Sequence, residues 1–478
     1  MPSEQYTEER TTIAAQATVS GNGAIHILRI SGSLAHDLLR QCFSPASRSF
    51  ADFEPWKLHH GTMKDKDGRP LDDVLCVFMP GPATYTGEDC AEIYCHGGQA
   101  IASLVLETLY AMGARPAKRG EFTQRAFLNG RMDLSQAEAV AELIAAPGRE
   151  AAEQSLRRLD GELARRVKEV RSALETVRVH MSLAVDFPDD EVEILDRPSF
   201  LEHVKKASHS LGLLLTGVKR ASLVQHGARV VLAGCANAGK SSLMNALLGR
   251  NRALVTDIPG TTRDFIEESV FFAGLPVRLI DTAGLRKADD KVENLGIAMS
   301  REQATHADCL IIVLDGEVLK TDGAQAAACP DAAFRELLDQ APDTLPVVVA
   351  WNKSDVAWPD VSEPCWCTRK DGSRLPFLAV SARTGAGIDQ LCQVVRNEVL
   401  GDEKNYIEHV APNERQASAL RHAHAELEGL ISDIEAGQLY DLLSVRLDSA
   451  CTFLDDCIGI GTAQDVLNKV FEGFCIGK

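Results

Sequence analysis

The sequence predicts a multidomain α/β protein. An N-terminal α+β domain is followed by an α-helical domain that is interrupted by an inserted α/β domain. Three observations lead there. The chain has 478 residues, enough for roughly three domains at about 150 residues each. Apolar residues recur at three- and four-residue steps from about 134 to 226 and again after Glu414. Between those helical blocks, short β-branched runs alternate with helical patterns, the sign of parallel βα units. The expected limits are 1–130, 131–226, 227–400 and 401–478. Insertion is expected because the ends of a compact domain often lie close together.

Within the first domain, Ala24–Ile30 reads as a strand ending at a Ser31-Gly32 turn, and Val74–Met79 as a buried strand stopped by Pro80-Gly81-Pro82. Ile101–Met112 has helical spacing. Leu156, Leu159, Leu163, Val167, Val170, Leu174 and Val177 form the stripe of one long amphipathic helix, and helical patterns continue through Ser199–Val224. After Glu414 the inward positions include Ala419, His422, Leu427, Leu430 and Ile434, although His422 and His424 read as surface residues rather than ligands. Thr462-Ala-Gln-Asp465 has the form of a capping box opening a last helix. Cys309–Leu314 and Leu345–Trp351 have the length of buried strands and fall short of a membrane span.

Composition narrows the function classes. Lys plus Arg is 50 and Asp plus Glu is 68, a formal charge of −18, so the chain is a poor non-specific nucleic-acid binder and any such contact must be local. The apolar fraction of 45% supplies ordinary cores. Met1–Arg10 lacks a basic n-region and an apolar h-region, which argues against a secretory signal. The 13 cysteines show no paired C-x-x-C spacing, and Cys365 and Cys367 are too close for a usual zinc pair. A reducing, cytoplasmic setting is expected.

The chemistry concentrates in the inserted segment. Arg229–Ala233 reads as a strand, Gly234-Cys-Ala-Asn-Ala-Gly239-Lys240-Ser241 follows at once, and Ser242–Leu248 reads as a helix. This is G-x-x-x-x-G-K-[ST] in its required strand–loop–helix setting. Its glycines let backbone N–H groups close around phosphates, with the helix N-terminus adding a favourable dipole. Lys240 is placed to reach the β- and γ-phosphates and Ser241 to ligate Mg²⁺. Asp281, at the end of a strand in Asp281-Thr282-Ala283-Gly284, suits Mg²⁺ through water, and Gly284 offers an N–H to the γ-phosphate. Asn352-Lys353-Ser354-Asp355 follows another strand. The Asp355 carboxylate accepts two hydrogen bonds from guanine, which adenine cannot donate. Ser381-Ala382-Arg383 places an N–H near guanine O6. In order, these motifs describe a Ras-like P-loop GTPase domain.

Thr256, Asp257, Ile258, Pro259, Gly260, Thr261 and Thr262 occupy the switch I slot, with Thr262 chosen to close on Mg²⁺. Leu285 stands where many small GTPases carry a water-orienting Gln, so the catalytic polar group must come from elsewhere: Asp289, Asp290 or Glu293. The expected nucleotide set therefore runs through Asn237, Ala238, Gly239, Lys240, Ser241 and Ser242, the switch I residues, Asp281–Gly284, Asn352–Asp355 and Ser381–Arg383.

Long strings outside this segment resemble the MnmE (TrmE) family of tRNA-modification GTPases over nearly the whole chain. They are Leu28-Arg29-Ile30-Ser31-Gly32, Tyr85-Thr-Gly-Glu-Asp89, His96-Gly-Gly98, Gly120-Glu-Phe-Thr-Gln-Arg-Ala-Phe-Leu-Asn129, Asp133-Leu-Ser-Gln-Ala-Glu-Ala139 and Phe474-Cys-Ile-Gly-Lys478. Departures fall at Val19–Gly23, Cys235-Ala236 and Lys287. The resemblance implies a potassium-dependent GTPase and an N-terminal domain that dimerises and binds a tetrahydrofolate, as the 5,10-methylene or 5-formyl form. It implies work with the flavoprotein MnmG, which carries FAD, to place an aminomethyl or carboxymethylaminomethyl group at C5 of the tRNA wobble uridine.

By position in the family's motifs, Asn237, Thr256, Ile258 and Thr261 hold potassium and Glu293 positions the attacking water. Arg29, Glu92, Arg131 and Lys478 fall at the folate site, where a carboxylate such as Glu92 suits the pterin's adjacent N–H and NH₂ donors. Cys475 falls beside the folate and tRNA chemistry, with a buried structural thiol as the alternative. For tRNA the best local segment is Leu156–Arg171, six basic residues against three acids, with an i,i+4 charged helix face as the alternative. The competing functional reading is a GTP-switch binding protein for ribosome assembly, which needs an appended RNA-binding module.

Overall fold

The structure, a computed structural model, describes residues 11–186, 196–235, 237–251, 267–281, 307–317, 332–356, 367–369, 371–401 and 410–478. The chain divides into two compact units. One comprises Met1–Ala145, Ser155–Leu213 and Arg415–Lys478; the other comprises Ala146–Gln154 and Leu214–Glu414.

The first unit opens with a seven-stranded sheet of β1 (Ile13–Gln16), β2 (Ile25–Ser31), β3 (Phe43–Pro45), β4 (His59–Lys64), β5 (Pro70–Met79), β6 (Cys90–His96) and β7 (Arg115–Pro116), in the order β3-β4-β5-β6-β2-β1-β7. Every neighbouring pair is antiparallel except β1–β7. The β2–β6 register sets Arg29 opposite Glu92. Helices α1 (Ala35–Cys42) and α2 (Gln99–Ala111) bury Leu38, Leu39, Val105 and Leu109 with Leu28, Ile30 and Ile93 of the sheet.

Helix α3 (Glu121–Leu128) starts after Gly120, whose φ is +66°, and a Cβ there would lie 2.7 Å from the Phe471 carbonyl oxygen. Its Arg125, 3% exposed, bonds to Glu88, Glu121 and the Thr11 carbonyl, so this part of the long family string is a buried ion network.

Helix α4 (Leu134–Ile144) carries a complete capping box between Asp133 and Gln136. The Gln136 amide also donates 2.8 Å to the Leu159 carbonyl, at the end of α5 (Arg149–Leu159). The single long helix expected from the 156–177 stripe is in fact two. Gly161, at φ +79°, separates α5 from α6 (Glu162–Asp186). Periodicity carries through a two-residue turn because the apolar spacing is kept on both sides, yet Leu156 is 48% exposed whereas Leu163, Val167, Leu174 and Val177 are buried. Helix α7 (Arg197–Leu215) follows.

In the second unit α8 (Val218–His226) leads into a six-stranded sheet. Its strands are β8 (Ala228–Ala233), β9 (Glu267–Phe272), β10 (Leu275–Asp281), β11 (Cys309–Asp315), β12 (Val347–Asn352) and β13 (Phe377–Ala379). The order is β13-β12-β11-β8-β10-β9, parallel except for the β9–β10 hairpin. Helices α9 (Lys240–Asn251), α10 (Ala332–Gln340) and α11 (Ile388–Leu400) cover it on both faces. Leu243, Leu247, Leu391 and Val395 pack with one set of strand side chains, and Phe334 and Leu337 with the alternate set. That accounts for the apolar run of β12, all six residues of which are buried.

The chain then returns to the first unit through α12 (Glu414–Glu435), α13 (Tyr440–Ile458) and α14 (Gln464–Glu472). The inward face of α12 is Gln416, Ala417, Leu420, Ala423, Leu427, Leu430 and Ile434. Ala419 is only half-buried, and His422 lies on the exposed side, stacked on Phe453 with ring centroids 5.1 Å apart. The expected capping box at Thr462 does not form. The N-cap of α14 is Ala463, so Thr462 sits one position too early and its buried Oγ1 has no partner.

Candidate functional site

The parallel strands β8, β10, β11 and β12 all run toward one edge of their sheet, where ligands bind in open α/β folds. Leaving β8, the chain turns at Gly234, where a Cβ would lie 2.2 Å from the Val313 carbonyl oxygen and φ is +146°. Asn237 is exposed with a left-handed φ of +64°. Gly239, φ +87°, meets the Asn352 amide, which would be 2.3 Å from an added Cβ. These positions fold the loop back over the start of α9, whose first turn buries Lys240 and leaves Ser241 exposed. The Lys240 ammonium bonds to the carbonyls of Gly234 (2.8 Å) and Cys235 (2.7 Å), which places it at the mouth of the loop. Ser241 Oγ donates 3.0 Å to Asp281 Oδ2 at the end of β10. This pair of hard oxygens has the donor chemistry that Mg²⁺ takes. Ser242 follows on the exposed side of α9.

Asn352, 2% exposed, ties the site together: its Nδ2 donates 2.9 Å to the Ala238 carbonyl, and its Oδ1 accepts from the Ala382 N–H at 3.1 Å. Asp355, the residue expected to read guanine, accepts from Ser381 Oγ at 2.5 Å and pairs with the Arg383 guanidinium. The Ser381 hydrogen bond, aided by Arg383, holds its carboxyl below the usual aspartate range. Ser354 fixes the loop by donating its N–H to the Val380 carbonyl. Thus Ala238, Gly239, Lys240, Ser241, Asp281, Asn352, Asp355, Ser381, Ala382 and Arg383 gather in one place. Thr256–Thr262, Thr282–Gly284, Leu285, Asp289, Asp290 and Glu293 lie outside the described residues, as do Ala236 and Cys365.

A second cluster sits on the first unit's sheet. Arg29 Nε and Nη2 donate to Glu92 Oε1 at 3.0 and 2.9 Å, and Tyr94 OH donates to Glu92 Oε2 at 2.8 Å. The Arg29 guanidinium lies 5.6 Å from the Tyr85 ring centroid and 5.8 Å from that of Phe122. Lys478 joins them: burial and the nearby Arg29 charge push its ammonium below the ordinary lysine range, while Glu92 opposes that. The tail can lie here because Gly477, at φ +91°, passes where a Cβ would be 2.2 Å from the Gln16 carbonyl oxygen. Cys475 is exposed, and its backbone carbonyl accepts from the Gly120 N–H at 3.4 Å. The alternative of a buried thiol therefore does not hold. Arg131 is exposed, with its stem against Gly87, and no described hydrogen bond or ion pair joins it to the other three.

The basic segment 156–171 is largely neutralised. Arg158 is buried against Glu142, Arg165 pairs with Glu169, Arg166 with Glu162, and Arg171 with Asp455 and Glu175. Sequence reasoning missed two residues that touch the sites: Tyr94, whose signal was alternation with Glu92 on β6, and Asp315, an acid at a strand end like Asp281. Among the described residues no group of three or more His, Cys, Asp and Glu could hold a metal, the cysteines are free thiols, and no helix is long and apolar enough to cross a membrane.

The family profile "GTP-binding protein TrmE N-terminus" matches residues 12–131, and "MnmE helical domain" matches 134–475. A tRNA modification GTPase MnmE from Nitratidesulfovibrio vulgaris (strain DP4) is 48% identical over 475 residues, 98% of this chain and 99% of that protein. The chain belongs to the MnmE family. A second MnmE, from Lawsonia intracellularis, is 41% identical over 470 residues, again 98% of this chain and 99% of the relative. Among solved structures, the G domain of the T. maritima FeoB iron transporter aligns at 25% identity with 36% of this chain and 98% of that one, at a TM-score of 0.26. The MnmE helical profile runs across the inserted unit, as the insertion requires.

Proposed function

We propose that this MnmE-family chain hydrolyses GTP to GDP and phosphate at the loop between β8 and α9. With the flavoprotein MnmG it would use that cycle to install an aminomethyl or carboxymethylaminomethyl group at C5 of the tRNA wobble uridine, in the cytoplasm. The observation that carries the GTPase reading is the convergence of Lys240, the Ser241–Asp281 pair, Asn352 and the Asp355–Ser381 pair at one sheet edge. Lys240 orients the β- and γ-phosphates, Asp355 and the Ala382 N–H read guanine, and Asn352 fixes the distance between those two ends. Ser241 and Thr262 would hold Mg²⁺, and Asn237, Thr256, Ile258 and Thr261 potassium. Both ions, when bound, supply positive charge against that developing on the phosphates. Glu293 would orient the attacking water, the role that Leu285 cannot fill.

The Arg29–Glu92–Lys478 cluster supports a tetrahydrofolate site, with Arg131 contributing by family position and Cys475 beside it. The N-terminal domain would pair two copies of the chain, and the G domains would pair when potassium is bound. The ribosome-assembly reading needs an RNA-binding module after Glu414, and that stretch folds as α12–α14 instead. GTP hydrolysis should be faster in K⁺ than in Na⁺ at equal ionic strength, and the chain should restore modified wobble uridine to a strain lacking it, read by nucleoside mass spectrometry. Equal rates in both salts would remove potassium from the site; unmodified uridine in the complemented strain would remove the tRNA reaction.

A further inference from the structure

We infer that Asp315 is a positioning residue of the nucleotide site, holding Lys353 and thereby the loop that presents Asp355. The inference rests on the reading of Asp355 as the guanine-binding carboxylate. Strands β11 and β12 are paired with Asp315 opposite Asn352, so the Asp315 carboxylate leaves its strand beside the residue that precedes Lys353. Its two oxygens do different work. Oδ1 accepts from the Glu317 N–H at 3.0 Å and closes the turn after β11, whereas Oδ2 accepts from the Lys353 ammonium at 2.7 Å. Glu317 adds a second, longer contact to the same ammonium at 3.6 Å. One carboxylate therefore ties the exit of β11 to the exit of β12.

Lys353 needs such a tie. Its φ is +62°, a left-handed conformation that is strained for an L-residue and persists where surrounding contacts impose it. The Asp315 side chain is only 12% exposed and Lys353 31%, so the pair is partly shielded from solvent competition. Gly316 completes the arrangement. A Cβ there would lie 2.3 Å from Trp351 Nε1 and 2.7 Å from the Asn352 carbonyl oxygen, so the two exits approach as closely as they do because that residue has no side chain. The Asp315 hydrogen bond, with its charge, raises the Lys353 ammonium above the ordinary lysine range, consistent with a settled ion pair.

The pair adjoins Asn352 and the loop that carries Asp355, whereas Lys240 and Ser241 belong to the loop after β8 and the start of α9. Asp315→Asn in the full-length chain should therefore raise the Kd of GDP and of GTP by the same factor, about tenfold, and leave kcat at saturating GTP within twofold. Lys353→Met, which spares the Glu317 turn but also removes a residue of the expected nucleotide set, should raise the Kd at least as much, and the double variant should be no weaker than Lys353→Met alone. An amine-acylating reagent should label Lys353 faster in Asp315→Asn than in the parent, because the ammonium loses its proton more readily. A Kd within twofold of the parent in both single variants, or additive losses in the double variant, would overturn the inference. Asp355→Asn is measured alongside. If that variant keeps full guanine preference, the reading underneath fails; if it loses guanine while Asp315→Asn binds normally, only the positioning role fails.

Discussion

Replacing Asn352 by alanine removes a side chain that bonds both the loop after β8 and the loop that carries Ala382. The side chain is buried, and its loss leaves the Ala238 carbonyl and the Ala382 N–H without their partner. An orphaned buried group costs about 1–3 kcal/mol. Asn237, one residue from Ala238, is exposed, so water can reach part of the gap and the lowest quarter of that range applies. Two groups at about 1–1.5 kcal/mol each give about 2–3 kcal/mol, and at 1.4 kcal/mol per tenfold this is roughly a 30- to 150-fold rise in Kd. The loss should fall equally on GDP and GTP, because neither bond depends on the γ-phosphate. Displacement of a fluorescent guanine nucleotide gives the Kd values, and thermal melting without nucleotide shows how much of the loss belongs to the fold. A Kd within threefold of the parent would refute the claim that Asn352 couples the two loops.

Glu293→Ala should cut kcat at least tenfold, a loss of about 1.4 kcal/mol or more, with GTP affinity nearly unchanged, as single-turnover kinetics and nucleotide titration will show. Asp355→Asn should weaken GTP binding and improve xanthine-nucleotide binding, since the amide can donate where the carboxylate only accepts; competition binding decides it. Glu92→Ala should weaken calorimetric binding of a 5-formyl-tetrahydrofolate analogue without changing GTP affinity, and Cys475→Ser should abolish wobble-uridine modification while the GTPase survives. Lys478 offers a pH test. Burial and then Arg29 lower its pKa, so folding favours the neutral amine, and stability should rise with pH from the depressed value up to the unfolded lysine value of about 10.4. At pH 9 it should acylate faster than exposed lysines, and faster still in Glu92→Gln, where the opposing negative charge is gone; slower labelling in Glu92→Gln would contradict the cluster.

The nucleotide site was legible in the sequence because its grammar is local. A strand, a glycine loop and a helix follow one another from 228 to 251, Asn352 ends one short strand, and Ser381 sits just past another. The pairing of Arg29 with Glu92 is of another kind. It comes from the β2–β6 register across 63 residues, and nothing in either strand alone specifies it. Asp315 escaped notice for a related reason: its partner Lys353 belongs to a different strand exit, and only sheet order makes them neighbours. The misread long helix at 156–177 shows the opposite limit, since an apolar repeat survives a turn at Gly161 that periodicity cannot see. Thr462 shows that a capping pattern one residue out of phase caps nothing.

Gln136 closes the start of α4 through its side-chain oxygen, which accepts from the Asp133 N–H, and the end of α5 through its amide nitrogen. Helix-start grammar treats glutamine and glutamate as interchangeable at this position. Here they are not, because a carboxylate would keep the first bond and set a negative charge against the Leu159 carbonyl instead of the second. A substitution that any local rule scores as silent should therefore loosen the turn at Gly161, because the demand on residue 136 comes from a helix that begins more than ten residues later.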